Sequence, residues 1–274
     1  MLPIHSRFNA RLGAALVAFA LVGCAGHSGV VPSDQWPAQL ESALPTDVLL
    51  LGEQHDAPDH QRLQRDTVQW LAARGRLAAV VLEMAERGHS TAALARGATE
   101  AQVQSALQWN DAAWPWSAYG PVTMAAVRAG VPVLGGNLPR SAMAAAMQET
   151  RWDTHLATTA RQQLLDALQD GHCGMLPAAR LPAMARIQIA RDASMAKTAQ
   201  EAVRPGQTVL LVAGGEHVLR HRGIPTHWSP NLTSKVASAH TDQAQAAIKT
   251  GVDIVVATPP LPPHDACEAL RLPN

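Results

Sequence analysis

Two G-x-x-H segments carry the side chains best suited to chemistry in this chain. They are Gly52-Glu53-Gln54-His55 and Gly214-Gly215-Glu216-His217, and each follows a continuous apolar run. A third such run, Ala78 to Leu82, leads directly into Glu83, and a fourth leads into Gly135-Gly136-Asn137. Glycine permits a sharp exit and a close backbone approach, and a histidine three residues on is able to turn back over a sheet edge. If the runs are neighbouring strands, Glu53, His55, Glu83 and His217 converge on one cleft. Two imidazoles with one or two carboxylates match either a divalent transition-metal site or an acid–base pair for hydrolysis. Taken singly, each residue reads as a helix N-terminal cap, where a carboxylate suits the dipole. Taken together at strand ends, they favour function.

A second group lies on a helix expected from Leu181 to Val203. Met184, Gln188, Arg191 and Met195 share one face of it by i, i+3 and i+4 spacing. A buried stripe holding Gln and Arg needs partners, so Arg191 either meets an anionic ligand in the cleft or pairs with a carboxylate for structure. No G-x-S-x-G, H-E-x-x-H, phosphate loop or C-x-x-C-H occurs, which removes several familiar chemistries.

The elements that must position these groups are legible as periodicity. Apolar runs at Val48-Leu51, Ala78-Leu82, Val131-Leu134, Thr208-Ala213, Val236-Ala239 and Asp253-Thr258 mostly lack polar alternation. They suit strands buried on both faces, and the helical stretches between them suit βαβ units. Asp56 and Pro58 open one such helix, with a stripe of Leu63, Thr67, Trp70 and Leu71. The fold class is therefore α/β, a mainly parallel sheet flanked by helices. Residues 139–203 contain no convincing strand and read as an inserted helical subdomain of a single domain spanning 34–274.

The N-terminus reads as an export address. Arg7 and Arg11 precede an apolar run from Leu12 to Val22 that is too short for a stable span and right for a signal-peptide core. It ends in Leu21-Val22-Gly23-Cys24, the pattern of a bacterial lipobox. Residues 1–23 are expected to be removed and Cys24 acylated, with palmitate among the chains, leaving 24–33 as a flexible tether. Ala25 and Gly26 lack the aspartate that retains many lipoproteins at the inner membrane, so the outer membrane, facing the periplasm, is the expected location. Without residues 1–23 the chain has 20 basic and 22 acidic residues and no basic cluster, which argues against nucleic acid as a partner. Cys173 and Cys267 remain, and an oxidising envelope allows them to pair; their separation in space is not legible here.

The segments LLLGEQHDAPDHQRLQ, VVLEM, YGPVTMAAVRAGVPVLGGNLPR, GHCGMLP, IQIARDASMA and VAGGEHVLRHRGIP resemble the ChaN-type haem-binding lipoproteins, in family order over roughly residues 46 to 258. The wider superfamily, with the erythromycin esterases and the Tiki/TraB group, shares the paired G-x-x-H and the glutamate after the second strand. In its enzymes those positions, here His55, Glu83 and His217, serve hydrolysis, with a metal in the Tiki branch. For the ChaN type the resemblance implies non-covalent haem binding for iron uptake at a homodimer interface, with an outer-membrane haem receptor as a further partner. It also implies a tyrosine ligand to ferric haem, which a phenolate suits. Tyr119 is the single tyrosine. Should it be core, a histidine such as His172 or His217 would have to serve, or haem binding is absent. His55, Arg140 and Arg191 are expected to help hold propionates. Trp109, Trp114 and Trp116 offer flat apolar surface, or simply core.

Overall fold

The computed structural model describes residues 30–241, 250–262 and 267. Cys24 and the signal segment lie outside them. Seven strands form one sheet in the order β1-β7-β6-β2-β5-β3-β4, and every pairing is parallel. In chain order the elements are β1 (Val30–Pro32), α1 (Trp36–Ala43), β2 (Val48–Glu53), α2 (Pro58–Ala73), β3 (Leu77–Glu86), α3 (Glu100–Leu107) and α4 (Trp116–Ala129). Then follow β4 (Val133–Asn137), α5 (Arg140–Gln148), α6 (Thr158–Gly171), α7 (Leu181–Ala202), β5 (Thr208–Gly214), β6 (Ser234–His240) and β7 (Ile254–Ala257).

The continuous apolar runs are explained by the two layers they serve. Successive strand residues point to opposite faces, so a strand covered on both sides must be apolar at every position. Leu49, Leu51, Leu82, Leu210 and Val212 meet α1 to α4 through Trp36, Leu71, Leu107 and Val122. Val48, Leu50, Val81, Leu211 and Val236 meet the other layer, where α7 supplies Met195, Ala196, Ala199 and Ala202. Pro58 begins α2 at a position that needs no backbone donor.

Three expected boundaries differ. Val30–Pro32, assigned to the tether, pair with Val255–Ala257 as an edge strand. The strand expected to stop at Glu83 continues to Glu86, with a shift of register between Leu82 and Glu86. The third apolar run enters the sheet only at Val133, after Pro132. The segment read as a helical insert comprises α5, α6 and α7. Its last helix lies on the sheet as a crossover, while α6 packs on the first half of α7 through Leu156, Ala160, Leu164, Ala185 and Ile189. Cys173, just after α6, is disulfide-bonded to Cys267, beyond β7. No helix among the described residues is long and apolar enough to cross a membrane.

Candidate functional site

The order β2-β5-β3 decides the site. In the register, Glu53 of β2 faces Gly214 of β5, and Glu83 of β3 comes one residue after the Leu82–Val212 pair. Two carboxylates are thus set one strand apart, with a glycine between them. A Cβ on Gly214 would stand 2.9 Å from His55 Nε2, so only glycine leaves the imidazole its place over β5.

Glu53 is buried and densely partnered. Tyr119 donates its hydroxyl to Glu53 Oε1 at 2.7 Å, Gln61 donates to Oε2 at 3.1 Å, and Gln64 also donates to Oε2. His55 Nδ1 lies 2.8 Å from Oε1. The His55 side chain is 38% exposed, the open member of an otherwise buried group. Its ring meets Trp114 edge-on at 4.8 Å, and its Nε2 lies 4.0 Å from Glu83 Oε2. Burial works against charging His55, but the hydrogen bond to Glu53 and the field of Glu83 outweigh it and raise the pKa.

Glu83, only 2% exposed, accepts from Arg191 Nη2 at 2.5 Å and from the Gly214 amide at 2.7 Å. His217 Nε2 stands 3.4 Å from the same carboxylate. Burial would raise its pKa, yet His217 and Arg191 hold it well below the usual carboxylate range. On its other side His217 Nδ1 lies 2.5 Å from Asp192 Oδ1. Burial opposes its charge, but Glu83 and Asp192 prevail and raise it to about 9. Burial lifts Asp192 to about 6 against the pull of His217 and Arg191. Through space the inner group runs Arg191, Glu83, His217, Asp192, so that carboxyl groups alternate with basic side chains. Asn137 closes it, donating to the Glu83 carbonyl at 2.9 Å and accepting from Arg191 Nε at 3.0 Å.

The structure brings Glu53, His55, Glu83 and His217 into one network, and Arg191 joins it as the partner of a carboxylate. A dication does not fit here. It would have to displace the Arg191 guanidinium and the proton of His217, and no group of three His, Cys, Asp or Glu among the described residues is arranged to hold a metal. The arrangement suits proton transfer better, because Glu53 orients the exposed His55 ring as a carboxylate orients a catalytic base.

Other expected ligands are placed differently. Tyr119 is 1% exposed, and burial together with the Glu53 carboxylate raises its pKa far above the ordinary phenol value. A phenolate is strongly disfavoured there. His172 caps α6, with Nδ1 2.7 Å from the Leu168 carbonyl, and none of its bonds reaches the cluster. Arg140 is an exposed first residue of α5 whose backbone amide bonds Glu86. Trp109, Trp114 and Trp116 pack partly buried against the core. Asp192 escaped the sequence reading because it sits beside Arg191 and reads as its neighbour's counter-ion. Its signal was the i, i+4 step from Gln188, which also reaches His217, at 3.2 Å.

A second feature was not legible at all. Along the outer side of β4 runs an open groove of about 840 Å³. Ala142 and Ala146 of α5 and Ala190 and Ala193 of α7 keep it wide, and Leu134 and Trp152 add apolar surface. Segment 86–92 returns along the free edge of β4 as its other wall. The Gly135 amide donates to the His89 carbonyl at 2.9 Å, and Thr91 donates to Val133 at 2.9 Å. A Cβ on Gly135 would fall 2.0 Å from the Glu86 carbonyl, so the glycine is what lets this segment close on the strand.

Three comparisons bear on this geometry. No curated protein matches the chain. The chain is similar to ChaN of Campylobacter jejuni, described as binding haem cofacially, at 22% identity and a TM-score of 0.65, covering 81% of this chain and 90% of that one. The type III effector HopBA1 aligns at 11% identity and a TM-score of 0.45, over 86% of this chain and 100% of its own length. The profile of the family described as "Haem-binding uptake, Tiki superfamily, ChaN" matches residues 39–227. That span contains the whole carboxyl-edge cluster and both walls of the groove, and the chain belongs to this ChaN-type haem-binding uptake family of the Tiki superfamily.

Proposed function

We propose that this protein is a lipid-anchored haem carrier of the bacterial envelope that binds haem non-covalently for iron uptake. Membership of the haem-binding uptake family carries the reading. Haem is a flat apolar plane with two propionates, and it needs a wide apolar slot with cations at the edge. The groove beside β4 supplies such a slot, and His89, which lines it, keeps a buried Nδ1 without a partner. Haem supplies the iron that is carried; the chain supplies the seat. Two haems held face to face, as in the Campylobacter jejuni relative, call for two seats, so a dimer of this chain with one groove per copy is the matching assembly. The lipobox ending in Cys24 supports the anchor, and an outer-membrane receptor is the expected source of the haem.

The test is an absorption titration of the full chain in detergent with haemin, with its mass followed in parallel. A Soret band that saturates at one haem per chain, with doubling of the mass, is expected. Absence of saturable binding refutes the reading.

One observation favours a second reading, hydrolysis at the carboxyl edge: His55 is the exposed end of a buried carboxylate–imidazole network. Turnover of an ester or peptide panel that disappears in His55→Ala would place it first. Since Arg191 and His217 already occupy Glu83 and no group of three His, Cys, Asp or Glu among the described residues is arranged to hold a metal, added Mn²⁺, Co²⁺ or Zn²⁺ is expected to produce no robust activity.

A further inference from the structure

We infer that His89 is the axial ligand of the haem and that the groove beside β4 is its seat, an assignment that rests on the haem-binding reading above. His89 lines the groove. Its Nδ1 is buried without a partner, and neither ring nitrogen makes a hydrogen bond among the described residues. Six other histidines have ring partners, His55 with Glu53, His60 with Thr258, His155 with Thr226, His172 with Leu168, His217 with Asp192 and His240 with Ser238. His227 also has a buried nitrogen without a partner, its Nε2, but its ring stacks on His155 and it does not line the groove. With Nδ1 sealed against the protein, Nε2 is the nitrogen His89 has for a ligand, and imidazole is an ordinary axial ligand for haem iron.

The backbone beneath the ring is rigid. The His89 carbonyl is held by Gly135 and Ser90 bridges to Leu134, so the ligand stands on the sheet and not on a free loop. The chain's single tyrosine is spent on Glu53 and lines no part of the groove.

Charge around the groove agrees with the occupant. Arg87, Arg151, Lys197 and Arg204 line it together with Glu149 and Glu201, two more cations than anions. Arg87 and Lys197 share the one carboxylate of Glu201, at 2.9 and 4.0 Å. Among the described residues Arg204 bonds only the carbonyls of Glu201 and Val203. The excess of two positive charges matches two propionates.

The test uses the full chain in detergent as wild type, His89→Gly, Tyr119→Phe and Arg204→Glu, each checked for folding by circular dichroism. Haemin is titrated by absorption and the ferric spin state read by electron paramagnetic resonance. In His89→Gly the affinity should fall at least tenfold and the Soret band should move, and added imidazole should restore the wild-type spectrum. In Tyr119→Phe the spectrum should stay unchanged. Arg204→Glu should weaken haemin severalfold and leave its dimethyl ester, which lacks the propionate charges, unaffected. Wild-type binding with an unaltered His89→Gly spectrum overturns the assignment alone. No saturable binding by the wild type overturns the haem reading and the assignment with it.

Discussion

Glu83→Gln probes the buried charge network most directly. The amide keeps the shape of the side chain and removes the anion on which Arg191, the Gly214 amide and His217 converge at 2.5, 2.7 and 3.4 Å. Removing one partner of a buried ion pair costs about 3–5 kcal/mol, because the remaining charge is stranded. Arg191 is 22% exposed and regains some water, which sets the loss near the lower end, about 3 kcal/mol. For a domain of this size each kcal/mol moves Tm by about 2–4 °C, so a fall of about 6–12 °C is expected at pH 7. The pH dependence carries a second signature. The folded His217 is raised from 6.5 to about 9, so its contribution is complete below pH 6.5 and is lost as pH rises through about 9. A shift of that size corresponds to about 3 kcal/mol. Glu83 is the largest of the charges that raise it, so the variant has much less of this contribution to lose. The Tm gap between wild type and variant, followed by calorimetry from pH 6 to pH 10, should be widest near pH 6 to 7 and shrink above pH 9. A gap that stays constant with pH, or a variant within 2 °C of wild type at pH 7, would refute the reasoning.

Tyr119→Phe removes one hydrogen bond to a buried carboxylate that keeps Gln61, Gln64 and His55. The loss should be about 1.5–3 kcal/mol in a denaturant titration, and an unchanged midpoint would show that the hydroxyl is not engaged with Glu53. Cys173→Ser opens a bridge between residues 94 apart in sequence. On the loop-closure estimate this costs about 4–5 kcal/mol, and equal thermal stability in oxidised and reduced protein would contradict it. Cys24→Ala should abolish incorporation of labelled palmitate and leave the precursor unprocessed; undiminished label in the mutant would remove the lipid anchor from the proposal.

The parallel sheet was legible because its signal is local. A strand covered on both faces must be apolar throughout, and a window of five or six residues displays that requirement. The G-x-x-H pairs were legible for a similar reason, since each polar group directly follows its apolar run. Val30–Pro32 escaped because three residues of an edge strand are too few to carry a period, and their partner lies more than 200 residues away.

Long-range placement decided the rest. Nothing in the sequence says that β5, last in chain order among the four site strands, inserts between β2 and β3. Only that insertion puts Gly214 between Glu53 and Glu83 and carries His217 to Asp192. Tyr119 as a haem ligand was what the family resemblance implied for the chain's single tyrosine, whereas its hydroxyl bonds the carboxylate that packing sets beside it. The groove is a hollow between segments near 86–92, 140–152 and 190–204, and an empty space between distant segments leaves no mark on any one of them. Residue types and their spacing determined which chemistry this chain could carry and on what kind of sheet. Tertiary packing decided which groups face one another and which nitrogen stays open to a ligand, because burial and the field of a neighbouring charge act through space and not along the chain.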